Sequence, residues 1–170
     1  LSAVISSGHP DRYQRIVWIL GPPGIGKTRL VLEALREDRF NRRVLVALGA
    51  EDGQNALLVR RVFERFPGTI LVVDDCPADR ADALAGYARQ LEADVGAALV
   101  ILTPRARHGL RTSAISEQLE VQPLLQGETE KIVREQLGSR AEPELVARLA
   151  AISEGYPWFA ALVAGELDAG

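Results

Sequence analysis

Residues 21–28 read Gly-Pro-Pro-Gly-Ile-Gly-Lys-Thr and directly follow the apolar run Ile16–Leu20. The pattern is G-x-x-x-x-G-K-S/T. It lies between a predicted buried strand and a predicted helix, which is the context that gives this motif its mechanism. Gly24 and Gly26 let the backbone turn so that successive N–H groups face one anion. A helix starting near Lys27 presents its positive end to the same anion. The Lys27 ammonium can reach the β- and γ-phosphates of a nucleotide, and the Thr28 hydroxyl can ligate Mg²⁺. The candidate nucleotide-binding residues are therefore Gly21, Pro22, Pro23, Gly24, Ile25, Gly26, Lys27, Thr28 and Arg29. The competing reading is a tight Gly-Pro turn before a helix, and position, spacing and flanks all weigh against it.

The remainder of the chain alternates in a way that fits this start. Short apolar runs at Ile16–Leu20, Val44–Leu48, Thr69–Val73 and Ala98–Leu102 read as four buried strands, with a short fifth at Leu119–Val121. Between them, Lys27–Glu37 puts Leu30, Val31, Ala34 and Leu35 on one helical face. Asn55–Phe66 does the same with Leu58, Val59, Val62, Phe63 and Phe66, and Asp79 is the expected N-cap of a helix over Arg80–Glu92. Strands alternating with helices indicate an α/β fold with a parallel sheet covered on both faces. Beyond residue 122 the strands stop. Glu128–Leu137, Pro143–Ile152 and Trp158–Leu167 read as three helices, opened by Thr129 or Glu128, closed by Gly138 and reopened by Pro143. The expected division is an α/β core at 1–121 and an incomplete helical subdomain at 122–170.

Two further segments carry chemistry. The apolar strand before Asp74-Asp75 ends in two acids, as metal-assisted phosphoryl transfer needs. Asp74 would orient Mg²⁺, directly or through water, and Asp75 could polarise the attacking water; taken alone, such a pair reads equally well as a strand followed by an Asp-capped turn, and Lys27-Thr28 upstream weighs against that. Ala98–Leu102 runs into Thr103-Pro104-Arg105. In an open α/β sheet that end lies at the ligand-binding edge, where a guanidinium can sense a γ-phosphate. Taken alone, the Thr103–Arg105 segment reads better as a strand-end turn with a solvated arginine.

Together, GPPGIGKT, ILVVDDC, VILTPR and Gly155-Tyr156-Pro157 resemble, in order and spacing over residues 8–168, the STAND class of P-loop NTPases. These are signal-transduction ATPases related to AAA+, NACHT and NB-ARC modules. The resemblance implies a P-loop NTPase three-layer sandwich with strand order 5-1-4-3-2, followed by the start of a helical lid that closes over ATP or ADP. It implies that Lys27 and Thr28 hold phosphates and Mg²⁺, as a Walker A motif does. Asp74 acts at the metal and Asp75 is the catalytic carboxylate, as in a Walker B motif. Arg105 is the sensor arginine, and Pro157 packs on the adenine. The implied catalytic set is thus Asp75, Lys27 and Arg105, and the implied metal ligands are Thr28 and Asp74. Gly155 would let the backbone approach the ligand closely. One departure stands out: Trp158 follows Pro157 where the family usually has an aliphatic residue. The class also implies flanking effector and sensor domains, a nucleotide-dependent homo-oligomer, and a signalling role that includes antiviral defence in bacterial members.

Composition narrows the field. With 20 Lys+Arg against 23 Asp+Glu and a net charge of -3, the chain is not broadly basic. Nucleic acid is therefore not expected as a partner of this domain. One cysteine, Cys76, makes no intrachain disulfide, and His9 and His108 are too far apart for a local metal motif. No apolar run spans a bilayer and no leader pattern opens the chain, so a cytoplasmic location is expected and no membrane partner. The sequence contains no methionine, so it is read as a piece of a larger polypeptide. Arg107 and Arg111 occupy the place of a trans-acting arginine finger, although a solvated loop is the better reading. Arg39, Arg42 and Arg43 read as a solvated basic face, and Pro10, Asp11 and Tyr13 match base-contacting positions weakly.

Three functions compete. The first is an ATP-hydrolysing switch. The second is a small-molecule kinase, disfavoured because Arg134, Arg140 and Arg148 are too dispersed for a kinase lid. The third is a non-hydrolysing scaffold latched by ADP, which could dispense with Asp75. A GTPase-type N-K-x-D is absent, which favours adenine.

Overall fold

The computed structural model describes residues 15–36, 44–47, 56–88, 97–103 and 116–168. Residues 1–14, Arg39, Arg42, Arg43, Arg105, Arg107, His108 and Arg111 lie outside the described residues, as does the side chain of Asp79.

Five strands form one sheet: β1 (Arg15–Leu20), β2 (Val44–Ala47), β3 (Ile70–Val73), β4 (Ala98–Thr103) and β5 (Ser116–Glu120). Their order is β2-β3-β4-β1-β5, the order that the resemblance implies, and every pairing is parallel. The continuous apolar runs explain the middle of the sheet. Every residue of β3 and β4 is buried, as are Ile16–Ile19 of β1, because side chains on both faces meet helices or neighbouring core. Trp18 is only 1% exposed. Three helices follow the first three strands: α1 (Lys27–Ala34), α2 (Ala56–Arg65) and α3 (Ala78–Ala88). Val59, Val62, Phe63, Leu84 and Ala85 pack with Leu71, Leu99 and Ile101 in one cluster.

The two sheet edges depart from the sequence reading. β2 was expected to be buried, but Leu45 and Val46 are both partly exposed. As an edge strand it pairs with β3 alone among the described residues. β5 begins at Ser116 rather than Leu119 and reads Ser-Glu-Gln-Leu-Glu. Its polar sequence carries no apolar strand signal, yet it pairs with β1 over Ile16–Leu20. Charged side chains on an edge strand discourage pairing with other chains.

Three helical details also differ. Leu30 is exposed, and α1 is held instead by Val31 and Leu35. Phe66 is 49% exposed because it lies just past the end of α2. α3 starts at Ala78, so Asp79 lies inside its first turn. The residue before the helix is Pro77, whose carbonyl accepts from the N–H groups of Arg80 and Ala81 at 3.1 and 2.8 Å.

Two compact units are present, residues 1–22 with 27–120 and residues 23–26 with 121–170. The second unit contains α4 (Gln126–Leu137), a 3₁₀ turn at Gly138–Arg140, α5 (Pro143–Ile152) and α6 (Pro157–Asp168). Its core is Val133, Leu137, Val146, Leu149, Ala150, Ala160 and Ala164. Helix α4 opens earlier than expected. The Leu125 N–H donates to the Glu128 carboxylate at 3.0 Å, and the Thr129 hydroxyl donates to the Leu125 carbonyl at 3.2 Å. Gly138 ends α4 at φ 55, and Pro143 takes the first position of α5.

Candidate nucleotide site

The site is built at the carboxyl edge of the sheet. Parallel pairing sets Leu20 of β1 level with Thr103 of β4, and Val73 of β3 level with Ile101 of β4. The residues that follow β1 and β3 therefore emerge at one edge, where ligands bind in open α/β sheets.

Thr28 and Asp74, distant in sequence, meet there. The Thr28 hydroxyl donates to Asp74 Oδ2 at 2.7 Å. Asp74 Oδ1 accepts from the Asp75 N–H at 2.8 Å, and the Asp74 N–H donates to the carbonyl of Ala47 at 3.1 Å. The half-buried Asp74 carboxylate is thus fixed by two donors, while Asp75 is exposed. Asp75 has φ 49, a left-handed conformation that Asp tolerates better than most residues. The chain bends there, and the Cys76 N–H then bonds the Leu102 carbonyl of β4 at 2.9 Å. Cys76 itself is buried in the core cluster, as a small strand-end residue would be.

Lys27 opens α1, and its ammonium donates to the carbonyls of Gly21 and Pro22 at 2.7 and 3.0 Å. Burial pushes the Lys27 ammonium below the ordinary lysine value, and the carboxylates of Asp74 and Asp75 partly offset this. The cation and both acids therefore share one small region. Thr103 is fully buried at the end of β4.

The donor chemistry fits Mg²⁺ with a nucleotide. Thr28 and Asp74 offer hard oxygens within hydrogen-bond distance, and Mg²⁺ takes one or two protein oxygens with phosphate and water. Among the described residues no group of three His, Cys, Asp or Glu side chains could hold a metal alone.

The loop tip, residues 23–26, groups with the helical unit. Gly24 and Gly26 adopt φ 79 and 96, the left-handed turns that the motif was expected to need. The Trp158 N–H donates to the Gly24 carbonyl at 3.3 Å. A Cβ on Gly26 would lie 3.7 Å from Pro157 Cγ, so the expected base-contacting proline sits against the loop. Ile25 is buried and Arg29 is exposed.

Gly155 also has a structural reason to be glycine. Its φ of 78 does mark a special backbone, but what it approaches is protein. A Cβ there would lie 2.5 Å from the Leu124 carbonyl oxygen and 2.9 Å from the Leu124 nitrogen. The Leu124 N–H donates to the Gly155 carbonyl at 2.9 Å. This contact, like that of Trp158 with Gly24, was not legible in the sequence. The one signal available was the unusual aromatic after Pro157. Gly155→Ala should destabilise the helical unit by about 3 kcal/mol, combining left-handed strain with a clash against backbone. Urea unfolding should show the midpoint falling with the slope unchanged.

No family model matches the sequence, and no curated protein matches it. Solved structures do resemble it. A RuvB structure from Thermotoga maritima superposes with a TM-score of 0.68 at 19% identity, covering 91% of this chain and 54% of that one. ORC from Drosophila, solved bound to DNA, gives 0.60 at 16% identity over 94% of this chain and 52% of its own. The chain has the fold of the AAA+ P-loop ATPases. A STAND protein with a tetratricopeptide repeat sensor, PH0952 of Pyrococcus horikoshii, gives 0.53 at 21% identity, covering 85% of this chain and 26% of that one. The AAA+-fold chain thus spans about half the length of the RuvB structures it matches. Among its described residues no helix is long and apolar enough to cross a membrane.

Proposed function

We propose that the chain is the ATP-binding and ATP-hydrolysing switch module of a larger STAND-type signalling or defence protein. The observation that carries this reading is the 2.7 Å bond between Thr28 and Asp74. It brings the end of the phosphate loop and the acid that follows β3 to one point, where Thr28 and Asp74 would hold Mg²⁺ alongside the phosphates. In this reading the loop amides and Lys27 hold the phosphates, Thr28 and Asp74 hold Mg²⁺, and Asp75 orients water. Arg105 remains the proposed sensor and Pro157 the proposed adenine contact. The likeness to PH0952, whose description includes a repeat sensor, supports assigning trigger and output to further domains. Nucleotide-dependent self-association belongs to the same proposal.

Calorimetry should give a single ADP or ATP site per chain that requires Mg²⁺ for full ATP affinity. Phosphate release should be slow but measurable. Absence of binding would remove the reading, whereas binding with no turnover at any chain concentration would favour the ADP-latched scaffold.

A further inference from the structure

The two tryptophans of this chain are used in opposite ways. Trp18 is buried inside the sheet core, whereas Trp158 is 63% exposed at the second position of α6. An indole left this open gains little from core burial. What it touches is the phosphate loop. A Cβ on Gly24 would meet Trp158 Cβ at 3.4 Å and its ring carbon Cε3 at 3.7 Å, so the side chain lies over the Gly24 α-carbon. The Trp158 N–H, one of the first-turn donors that a helix leaves unpaired, bonds the Gly24 carbonyl at 3.3 Å.

We propose that Trp158 is a positioning residue of the phosphate loop, clamping Gly24 so that the loop is set for a nucleoside diphosphate or triphosphate before the ligand arrives. The inference rests on the nucleotide-binding reading above and deepens it. A loop can turn its N–H groups toward an anion only if its carbonyls point away. The carbonyl at Gly24 needs a donor, and the backbone N–H of position 158 provides one, which Trp158→Ala would keep; what that variant removes is the ring over Gly24. With φ 79 and no Cβ, Gly24 has many conformations to lose on binding, and a ring lying over it removes some of them beforehand. The clamp has a firm base. The Ser153 hydroxyl bonds the Leu149 carbonyl at 2.6 Å, the Tyr156 N–H bonds the Ser153 carbonyl at 2.8 Å, and Gly155 is held against Leu124. The turn that carries Trp158 is therefore tied both to α5 and to the segment preceding α4.

The test compares the parent 170-residue chain with Trp158→Ala and Trp158→Phe. ADP affinity by calorimetry should fall about tenfold in Trp158→Ala, the effect of lost preorganisation, and recover to within about threefold of the parent in Trp158→Phe, which keeps a ring over Gly24. Ligand-free melting should change little, because the side chain is mostly in water. The emission difference between parent and Trp158→Phe isolates Trp158 from the buried Trp18. It should shift when ADP is added, which a merely structural tryptophan would not do. If the parent binds ADP, and Trp158→Ala binds equally well or the Trp158 emission is silent to ADP, the clamp is wrong and the nucleotide site stands. If the parent binds no ADP, both fall. If Trp158→Ala does not fold, the emission difference decides alone.

Discussion

Lys27→Ala is expected to lose ATP affinity by about 10- to 150-fold, the equivalent of removing a hydrogen bond to a charged group worth roughly 1.5–3 kcal/mol. Lys27 is the only lysine in the motif, and its ammonium is already held at the loop by the Gly21 and Pro22 carbonyls. Its protonation should be visible too. The folded value is pushed down by burial, below the ordinary 10.5, so the fold disfavours the charged form. The sign follows. The unfolded chain binds more protons between the lowered value and 10.5, so this group's contribution to ligand-free stability rises with pH across that window. Nucleotide binding runs the other way, because a phosphate anion restores the charged form. ATP affinity should decline as pH rises through the lowered value, with proton uptake on binding in that range. Calorimetry in buffers of differing ionisation heat measures the uptake. Lys27→Arg should abolish it, since Arg stays charged. Equal affinity in Lys27→Ala and the parent would show that the loop amides act alone.

Asp75→Asn should slow ATP hydrolysis by roughly 100-fold or more, the scale of losing a general base, while leaving nucleotide affinity near that of the parent. The substitution is clean for a structural reason. Asp75 has φ 49, and Asn is as much at home there, so the charge is removed without strain. The backbone N–H that holds Asp74 is untouched. Asp74→Asn should behave differently. Its carboxylate accepts from both Thr28 and Asp75, so the change weakens the proposed metal ligand and disturbs the Thr28 contact together. The expected signature is a higher Mg²⁺ requirement rather than a simple loss of rate. Phosphate release measured across a Mg²⁺ titration separates the two. If both variants hydrolyse at the parent rate, the acids have been assigned wrongly.

The sequence by itself determined the central sheet and the loop. Ile16–Leu20, Ile70–Val73 and Ala98–Leu102 are apolar on both faces, which only a strand buried between two layers can satisfy. The positive-φ turns at Gly24 and Gly26 and the helix start at Lys27 were legible because spacing along one chain fixes their geometry. The three late helices were legible as segments, with Gly138 closing the first and Pro143 opening the second, although the first starts at Gln126, ahead of the expected opening. What depends on distant partners was decided only by the tertiary structure. Whether Val44–Ala47 is buried depends on its position in the sheet, and it proved to be an edge. Ser116–Glu120 pairs with β1 along its whole length, although only its end, at Leu119, was legible as strand. Leu30 and Phe66 look like core by periodicity, but periodicity states only which side chains share a face and not how far the neighbouring layer extends. The site shows the same limit. The Thr28–Asp74 bond joins the ends of two different elements, Gly155 is a glycine because the Leu124 backbone lies against it, and Trp158 rests on Gly24. These are contacts across large sequence separations, and they exist only once the chain has folded.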